Sequence, residues 1–269
     1  MSHIITISNQ KGGVSKTTTY VNLAASLTAT RRRVLLVDLD PQSNATMSSG
    51  VNKHEVELSG YHLLLEDIPL SELILDAEAA GYHLLPGNSD LTAAEVGLMQ
   101  GEERETRLGT RLQAVADAYD YILIDCSPAL NMLTLNALTA ANAVFIPIQC
   151  EYYALEGLSA LLETVEQIRD AVNPGLEIEG LLRTMFDARN NLANEVSQQL
   201  LDHFGDKVYR IIIPRNIRLA EAPSYGVPIL KYDKTSRGAI AYLALAAEMV
   251  RRQQQAGQPD EPRAEALGS

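Results

Sequence analysis

The sequence predicts an α/β protein with a doubly wound, mostly parallel sheet that is flanked by helices on both faces. Two observations support this fold class. Short runs rich in β-branched residues alternate with longer helical patterns along the chain. Three of the runs, VLLVD, YILID and AVFIPI, are almost continuously apolar, which is typical of strands buried on both faces of a parallel sheet. The alternation implies right-handed crossover connections between the strands.

The elements follow from these patterns in chain order. Strands are predicted at residues 4–8, 34–38, 82–85, 121–125, 143–148, 177–185 and 208–213. Helical spacing of apolar residues predicts helices at residues 16–30, 104–118, 132–141, 155–171, 192–204 and 237–252. The leucine-rich segment 63–75 is interpreted as helix and core. We expect one domain over residues 1–252 and a disordered tail, rich in Gln, Pro, Glu and Gly, over residues 253–269.

The composition excludes several classes of protein. The 269-residue chain is 46% hydrophobic and 21% charged, which is ordinary for a globular protein long enough to bury a core. Its two cysteines, Cys126 and Cys150, are too few for a disulfide framework and lack the spacing of a CxxC site. The apolar runs are shorter than a membrane span requires, and the opening MSHIITIS does not resemble a signal peptide. We therefore expect a cytoplasmic protein.

The charge is distributed unevenly. The formal net charge is −12, which argues against nucleic acid as a partner when the chain is taken as a whole. Residues 183–237, however, contain nine Lys or Arg against six Asp or Glu. This segment is either an ordinary solvated surface or a basic face on an acidic protein, and composition alone does not distinguish the two.

The first predicted strand runs into NQKGGVSKTT and then into a helix. This is the layout of a phosphate-binding loop, in which backbone N–H groups cradle phosphate, a lysine neutralises it and a threonine hydroxyl holds Mg²⁺. Gln10 and Ser15 occupy the glycine positions of the strict GxxxxGK[ST] pattern, so the loop is a KGGxxK[ST] variant. If the Ser15 position requires a positive φ, a non-glycine residue costs about 1–2 kcal/mol there. The candidate nucleotide-binding residues are Lys11, Gly12, Gly13, Val14, Ser15, Lys16, Thr17 and Thr18.

Acidic residues end two of the predicted strands. Asp38 and Asp40 follow the run VLLV, and Asp125 follows YILI. In open α/β sheets the ligand binds at the carboxyl ends of the strands, and an apolar run that ends in Asp is typical of the Mg²⁺-side acid of P-loop NTPases. A single Asp of this kind is explained equally well as a helix cap. Three of them at the edge that carries the loop favour a Mg²⁺-nucleotide site.

The residue types suggest distinct roles, because catalysis in P-loop proteins consists mostly of positioning and charge neutralisation. Lys16 is expected to bind the β- and γ-phosphates. Thr17 is expected to ligate Mg²⁺, Asp125 to hold it through water, and Asp38 to support the metal site. Asp40 is expected to orient the attacking water. The expected nucleotide and metal are therefore ATP and Mg²⁺.

Several sequence blocks, in this order, resemble the ParA/Soj partition ATPases. They are the loop at residues 11–18, DLDPQSNAT at 38–46, DCSP at 125–128, CEYYALEGL at 150–158, TMFDAR at 184–189 and IPRNIRLAEAPS at 213–224. The resemblance extends from residue 4 to about residue 250, without an additional N-terminal DNA-binding domain, and is similar to the short chromosomal type. The family loop usually has glycine at the position of Ser15.

The resemblance implies properties that the residue pattern alone does not provide. ATP binding would drive a sandwich homodimer, in which Lys11 reaches the phosphates of the partner subunit and Gly12 lies where the two subunits meet. The ATP dimer would bind double-stranded DNA without sequence specificity through Arg189 and Arg218. A centromere-binding ParB-type partner would stimulate hydrolysis and so release the DNA, in chromosome or plasmid segregation on the nucleoid. The loop on the adenine side would be formed by Pro214, Arg215 and Asn216.

Three alternatives remain open at this point. A MinD-like membrane-cycling ATPase shares the loop but requires a C-terminal amphipathic helix, and the RRQQQAGQPDEP sequence at residues 251–262 has no apolar face. An iron–sulfur ATPase requires cysteines placed to ligate a cluster, whereas Cys126 and Cys150 are interpreted as small buried residues. An ATP-gated scaffold with very slow hydrolysis is compatible with Ser15. The favoured interpretation has no membrane partner.

Overall fold

The computed structural model describes residues 2–9, 13–101 and 103–256. These residues form one eight-stranded sheet with the strand order β3-β4-β2-β5-β1-β6-β7-β8. Every strand pair in the sheet is parallel except β3 with β4. The strands are β1 His3–Ile7, β2 Val34–Asp38, β3 Leu75–Ala77, β4 Tyr82–Leu85, β5 Tyr121–Asp125, β6 Ala143–Gln149, β7 Glu177–Phe186 and β8 Val208–Pro214. The predicted α/β fold with a mostly parallel sheet is confirmed.

Helices cover both faces of the sheet. They are α1 Lys16–Ala29, α2 Asn44–Ser48, α3 Gly60–Leu65, α4 Leu70–Leu73, α5 Leu91–Gln100, α6 Arg107–Gln113, α7 Met132–Ala140, α8 Ala154–Ala171, α9 Asn191–Phe204, α10 Ile217–Glu221, α11 Ile229–Tyr232 and α12 Arg237–Ala256. Short 3₁₀ turns lie at Ala116–Ala118, Gly205–Lys207 and Ala222–Tyr225. The helix predicted over residues 104–118 is therefore shorter than expected: α6 covers Arg107–Gln113, and a separate 3₁₀ turn follows at Ala116–Ala118.

The central strands lie where the apolar runs predict them. Strands β2, β4 and β5 begin and end at the predicted residues. Strand β1 is shifted by one residue toward the N-terminus, and β6, β7 and β8 each extend one residue further than predicted. All five residues of β2 are buried. Leu36 packs into the core on one face of the sheet, whereas Leu35 and Val37 pack into the core on the other. This alternation explains why the run is apolar at every position rather than at every second one.

The segment 63–75 differs from the single helix that was predicted. Helix α3 ends at Leu65, α4 covers Leu70–Leu73, and β3 follows as an edge strand antiparallel to β4. Pro69 accounts for the break, because proline disfavours the helical conformation in the residue before it. The leucines still supply the core, since Leu63, Leu64, Leu70 and Leu73 are all buried.

The disordered tail was predicted to begin at residue 253, which lies within the last helix. Helix α12 continues to Ala256, so residues 253–256 are helical rather than disordered. The sequence QQQA contains good helix formers, and the first helix breaker is Gly257. The Gln253 side chain also accepts a hydrogen bond from the Tyr121 hydroxyl, which ties this last turn to β5. Residues 257–269 lie outside the described part of the chain, and the single domain over residues 1–252 stays a prediction.

Candidate nucleotide-binding site

The strand order brings the loop and the acidic residues to one edge of the sheet. Strand β5 lies between β1 and β2, and Asp125 is the register partner of Ile7 on one side and of Asp38 on the other. All three strands are parallel, so their carboxyl ends meet at the same edge. The convergence that the sequence predicts is therefore present in the fold.

The phosphate-binding loop leads directly into helix α1. Gly13 has φ +79°, Val14 is buried, and α1 begins at Lys16. The Thr184 hydroxyl in β7 donates a hydrogen bond to the Val14 carbonyl oxygen at 3.1 Å, which anchors the loop from outside. The predicted site residues Lys11 and Gly12 lie outside the described residues, as does Gln10.

Ser15 holds the strained conformation that the loop pattern suggests. Its φ of +65° and ψ of +35° lie in the left-handed region, which costs a non-glycine residue about 1–2 kcal/mol. This conformation places Ser15 as the last residue before α1, with its carbonyl oxygen accepting from the Thr19 N–H at 2.9 Å. A backbone conformation that glycine adopts without strain is thus held here by a serine.

Lys16 lies at the first turn of α1, facing the acidic edge. Its ammonium donates to the Asn9 carbonyl oxygen at 2.9 Å, and the Asn9 side chain donates to the Pro147 carbonyl oxygen at 2.7 Å. Burial lowers the pKa of Lys16, while the acidic groups of Cys126, Asp125 and Asp40 act in the opposite direction. A lysine at a helix N-terminus, beside the amides of the loop, suits the binding of a polyphosphate.

Asp38 is fully buried and its carboxylate is held by neighbouring groups. One oxygen accepts from the Thr46 N–H at 2.8 Å and the Thr46 hydroxyl at 2.7 Å, and the other accepts from the Asp40 N–H at 3.2 Å. Burial raises the pKa of Asp38 to about 6 even though these hydrogen bonds favour the ionised form. The arrangement orients the segment that carries Asp40.

Asp125 is equally buried but differently surrounded. It is 1% exposed, and neither carboxylate oxygen has a hydrogen bond of normal geometry within the described residues, although the Thr17 side chain lies near enough to favour the ionised form. Burial, followed by the charges of Asp38 and Asp40, raises the pKa of Asp125 well above its usual value, and the side chains of Thr17 and Lys16 oppose this rise. Buried polar atoms are nearly always satisfied, so a buried carboxylate without a hydrogen bond of normal geometry is a candidate ligand-binding group.

The donor set fits Mg²⁺ bound together with a nucleotide. Mg²⁺ prefers oxygen ligands and usually takes one or two from the protein, with phosphates and waters completing its shell. Asp125 offers two orphaned oxygens, and Thr17 offers a hydroxyl at the start of α1. Within the described ranges, no group of three or more His, Cys, Asp or Glu side chains is arranged to hold a metal by itself. The site therefore suits a metal that arrives with phosphate rather than one held by the protein alone.

Asp40 lies just beyond these buried acids and is only partly buried. Its carboxylate accepts from the Gln42 N–H at 3.0 Å, and its carbonyl oxygen accepts from the Ser43 N–H at 2.8 Å. The turn that follows β2 thus fixes its backbone while leaving its carboxylate accessible from the side of the loop. This is a suitable position for a group that contacts solvent near the phosphates.

A pocket of about 300 Å³ lies on the other side of the loop. Ser15 and Thr18 line one wall, and the predicted adenine-side residues line another, together with Met185 and Tyr242. The fold thus brings Pro214, Arg215 and Asn216, at the end of β8, next to the loop from β1. The Asn216 side chain caps α10 by accepting from the Leu219 N–H at 3.3 Å, which fixes this wall.

The two arginines expected at DNA are both on the surface, and each is paired with a carboxylate. The Arg189 guanidinium, 90% exposed, donates to the two oxygens of Asp187 at 2.9 and 2.7 Å. This pairing lowers the pKa of Asp187 to about 2, and Arg215 adds to the effect. Arg218 donates to Glu221 at 2.8 Å. Both arginines are accessible, but a DNA phosphate would have to compete with these carboxylates.

Sequence reasoning missed the residues that support the acids. The Thr46 hydroxyl donates to Asp38 and accepts from the Gly87 N–H at 2.9 Å. A Cβ at Gly87 would lie 2.8 Å from the Asp38 carbonyl oxygen, so only glycine permits this approach. The Tyr20 hydroxyl bonds to the backbone of Ile7 and Ile124, joining the ends of β1 and β5. Thr46 lies within the DLDPQSNAT block but its role was not assigned, and the contacts of Gly87 with Thr46 and of Tyr20 with Ile124 join residues 41 and 104 positions apart.

The edge geometry, the loop and the buried acids define a P-loop nucleotide-binding protein. Comparison with known proteins supports this class, since the family described as an AAA domain matches residues 2–178. The chain is 50% identical to the chromosome partitioning protein ParA of Myxococcus xanthus over 252 residues, covering 94% of this chain and 89% of that protein. It is 51% identical to the sporulation initiation inhibitor protein Soj of Bacillus subtilis over 249 residues, covering 93% and 98%. The chain belongs to the ParA/Soj family of partition ATPases.

Solved structures share the fold. Cobyrinic acid a,c-diamide synthase from Mycobacterium smegmatis, solved with ADP and magnesium, is 36% identical with a TM-score of 0.83, covering 95% of this chain and 97% of that one. The cell division ATPase MinD of Pyrococcus furiosus has a TM-score of 0.78 at 24% identity, covering 94% and 100%. At that identity the second comparison supports the fold alone. Nucleotide and Mg²⁺ binding is thus a property of the fold family to which the chain belongs.

Two further findings concern membrane spans and the cysteines. No helix among the described residues has both the length and the apolar character that crossing a membrane requires. Cys126 and Cys150 are free thiols and both are buried, as the sequence suggests. Burial raises the pKa of the Cys126 thiol to about 12 and that of Cys150 to about 11, which disfavours the thiolates that ligate an iron–sulfur cluster.

Proposed function

We propose that this chain is an Mg²⁺-dependent partition ATPase that converts ATP to ADP and phosphate and couples this reaction to reversible DNA binding. The observation that supports it most is that Lys16, at the start of α1, lies near enough to the buried carboxylate of Asp125, at the end of β5, for each charge to shift the pKa of the other group. In an Mg²⁺-nucleotide site, a lysine binds the phosphates and a carboxylate holds the Mg²⁺. Membership of the ParA/Soj family supplies the link to partition.

Each residue of the site has one task in this proposal. Lys16 and the amides of the loop bind the β- and γ-phosphates. When bound, Mg²⁺ would neutralise charge on the phosphates, with the Thr17 hydroxyl and, through water, Asp125 holding it. Asp38 supports the metal site by fixing the turn after β2. Asp40, at the open side of that turn, orients the water that attacks the γ-phosphate.

The adenine side of ATP is assigned to the pocket beside the loop. Thr18 and Ser15 form the wall nearest the phosphates, and Pro214, Arg215 and Asn216 form the opposite wall. A volume of about 300 Å³ is at the lower end of ligand pockets, which suits a base more than a whole nucleotide. The phosphates would then lie over the loop, outside this pocket.

ATP binding is proposed to produce a sandwich homodimer. Lys11 would reach the phosphates of the partner subunit, and Gly12 would lie at the contact between the subunits, as the family resemblance implies. Dimerisation brings two copies of the basic segment together. A protein of net charge −12 could then bind DNA in its ATP state while its monomer binds weakly.

DNA binding is assigned to Arg189 and Arg218, which are exposed and lie within the basic segment. The contacts would be to phosphates and therefore independent of sequence, with an affinity that falls steeply as salt rises. A centromere-binding ParB-type partner would stimulate hydrolysis and return the protein to the state that releases DNA. The proposed location is accordingly the cytoplasm, on the nucleoid.

The proposal is tested by measuring binding to a fixed, non-specific DNA duplex with ATP, with ADP and without nucleotide. Wild type should bind only with ATP, and Asp40→Ala should bind more persistently because it does not hydrolyse ATP. Arg189→Ala and Arg218→Ala should each reduce the dependence of log affinity on log salt by about one per lost phosphate contact. Arg251→Ala, at an exposed arginine on α12, is the matched control and should bind as wild type does. Equal binding in all three nucleotide states would contradict the proposal.

Ser15 supports a second candidate function, an ATP-gated scaffold that hydrolyses ATP too slowly to cycle. A serine in the left-handed conformation at the loop is a source of strain where the family usually has glycine. Single-turnover phosphate release from wild type and Ser15→Gly distinguishes the two. A large acceleration in Ser15→Gly, from a wild-type rate that the ParB-type partner does not raise, would favour the scaffold.

A further inference from the structure

A groove between helices α8 and α9 has no role in the site described above. Its volume is about 470 Å³. Leu155, Leu158, Ser159 and Leu162 of α8 and Gln199, Asp202, His203 and Phe204 of α9 line it. The α8 residues recur at intervals of three and four, so one continuous stripe of that helix faces the groove.

The floor of the groove is apolar but incompletely covered. Leu158 is buried, whereas Leu155, Leu162 and Phe204 are each partly exposed while packing against the core cluster on this face. An apolar surface that is partly open between two helices is the geometry by which an amphipathic segment is commonly bound.

The rim of the groove is acidic. Asp202 lines the groove directly, Glu166 falls one turn beyond Leu162 on the same stripe of α8, and Glu195 falls one turn before Gln199 on α9. Glu163 lies beside the α8 stripe and is exposed. Together α8 and α9 carry six acidic residues and a single arginine. That arginine, Arg169, donates to the Leu176 carbonyl oxygen.

The negative charge of the rim indicates which kind of molecule could bind in the groove. DNA and an anionic lipid surface would both be repelled by this rim. A second copy of the chain carries a net charge of −12, and its basic segment is already assigned to DNA. A protein segment with apolar residues on one face and lysine or arginine beside them matches both the floor and the rim.

The groove is also connected to the nucleotide site. Helix α8 follows β6, whose Pro147 carbonyl oxygen accepts the Asn9 side chain, and Asn9 in turn accepts the Lys16 ammonium. A partner bound on α8 would therefore lie on the helix that follows β6, and β6 is the strand that is linked to the phosphate-binding lysine through Asn9.

From these observations we propose that the α8–α9 groove is the docking surface for a basic, amphipathic segment of the partner that stimulates ATP hydrolysis. The inference rests on the proposed function, because it names the surface through which that stimulation is delivered. It predicts that binding depends on the acidic rim and weakens with salt.

The test is partner-stimulated phosphate release, measured against the concentration of the cognate ParB-type protein in the presence of ATP and DNA. Glu163→Lys combined with Glu166→Lys reverses the rim at two exposed positions. Asp76→Lys combined with Glu78→Lys makes the same change in net charge at two exposed positions, one within the edge strand β3 and one just after it, at the opposite end of the sheet. A second groove variant, Ser159→Arg, fills the groove from an exposed position without removing an acid.

The rim variant should require at least about tenfold more partner for half-maximal stimulation, with its unstimulated rate and DNA binding unchanged. Ser159→Arg should be impaired in the same direction, and the β3 control should stay within about twofold of wild type, since surface changes elsewhere act only through net charge. If wild type and both groove variants are stimulated alike, the docking surface is wrong while the proposed function stands. If the partner does not stimulate wild type at all, the proposed function fails and this inference fails with it.

Discussion

Asp38 and Asp125 are register partners at the ends of adjacent strands, and both are buried, yet their hydrogen bonds differ. Asp38 accepts three hydrogen bonds from Thr46 and Asp40. Neither oxygen of Asp125 has a hydrogen bond of normal geometry among the described residues. The chain therefore satisfies the carboxylate of Asp38 more fully than that of Asp125. In the proposed function, Asp38 builds the site and Asp125 interacts with the metal and the nucleotide.

The largest effect on stability is expected from Asp38→Ala. The substitution removes the acceptor of three donors, two of them on buried Thr46, and should lower the free energy of unfolding by about 2–4 kcal/mol. Urea denaturation without nucleotide measures this. The exposed Asp76→Ala is the control and should change stability by less than about 0.5 kcal/mol. A change in Asp38→Ala no larger than that of the control would show that its hydrogen bonds contribute nothing.

Asp125→Ala should behave in the opposite way. Without ligand its free energy of unfolding should stay within about 1 kcal/mol of wild type or rise, because an unpaired buried acid is removed. With Mg²⁺ and a non-hydrolysable ATP analogue at about 100 times the dissociation constant, wild type should gain about 2.7 kcal/mol. Asp125→Ala should lose most of that gain at the same concentrations, as followed by the same denaturation experiment. If the ligand-free Asp125→Ala variant were strongly destabilised, Asp125 would contribute to folding as Asp38 does, and the proposed difference between the two acids would be wrong.

Thr46→Val tests how much the hydrogen bond from the Thr46 hydroxyl to Asp38 contributes to stability. The change keeps the shape of the side chain but removes the group that donates to Asp38 and accepts from Gly87. The expected loss of stability is about 1–2 kcal/mol, close to that of a buried hydrogen bond left unmade. Thermal and urea denaturation both report it. In the double variant with Asp38→Ala the two effects should not add, since both residues share the bond.

Ser15→Gly is expected to have the smallest effect on stability, and it should be favourable. Ser15 resembles Asp125 in being costly to the folded chain, here through its backbone conformation. Glycine removes about 1–2 kcal/mol of strain but makes the unfolded chain more flexible, so a net gain of about 0.5–1 kcal/mol is expected. Differential scanning calorimetry should show a higher melting temperature. A lower one would mean that the serine side chain makes a compensating contact.

The sequence predicts those parts of the fold and of the site that depend on the local pattern of residues. VLLVD and YILID predict β2 and β5 to the residue because every position is buried, and the acids at their ends mark the site edge. Strand β3 was missed because it is three residues long and two of them are exposed. Local pattern also could not indicate that Thr46 and Gly87 support Asp38, since Gly87 is 41 residues from Thr46 and the contact depends on the tertiary fold. Nor could it tell which of two similar strand-end acids would lack a partner.

The most direct test of the difference between the two acids is the Mg²⁺ dependence of nucleotide affinity. Isothermal titration calorimetry with a non-hydrolysable ATP analogue, in Mg²⁺ and in EDTA, would be carried out on wild type, Asp125→Ala and Thr46→Val. Mg²⁺ should strengthen binding by at least about tenfold in wild type and in Thr46→Val, which corresponds to about 1.4 kcal/mol. In Asp125→Ala the two affinities should agree within about twofold, a difference near 0.4 kcal/mol. If Mg²⁺ strengthened nucleotide binding in Asp125→Ala as much as in wild type, the proposal that the Asp125 carboxylate holds the metal would be contradicted.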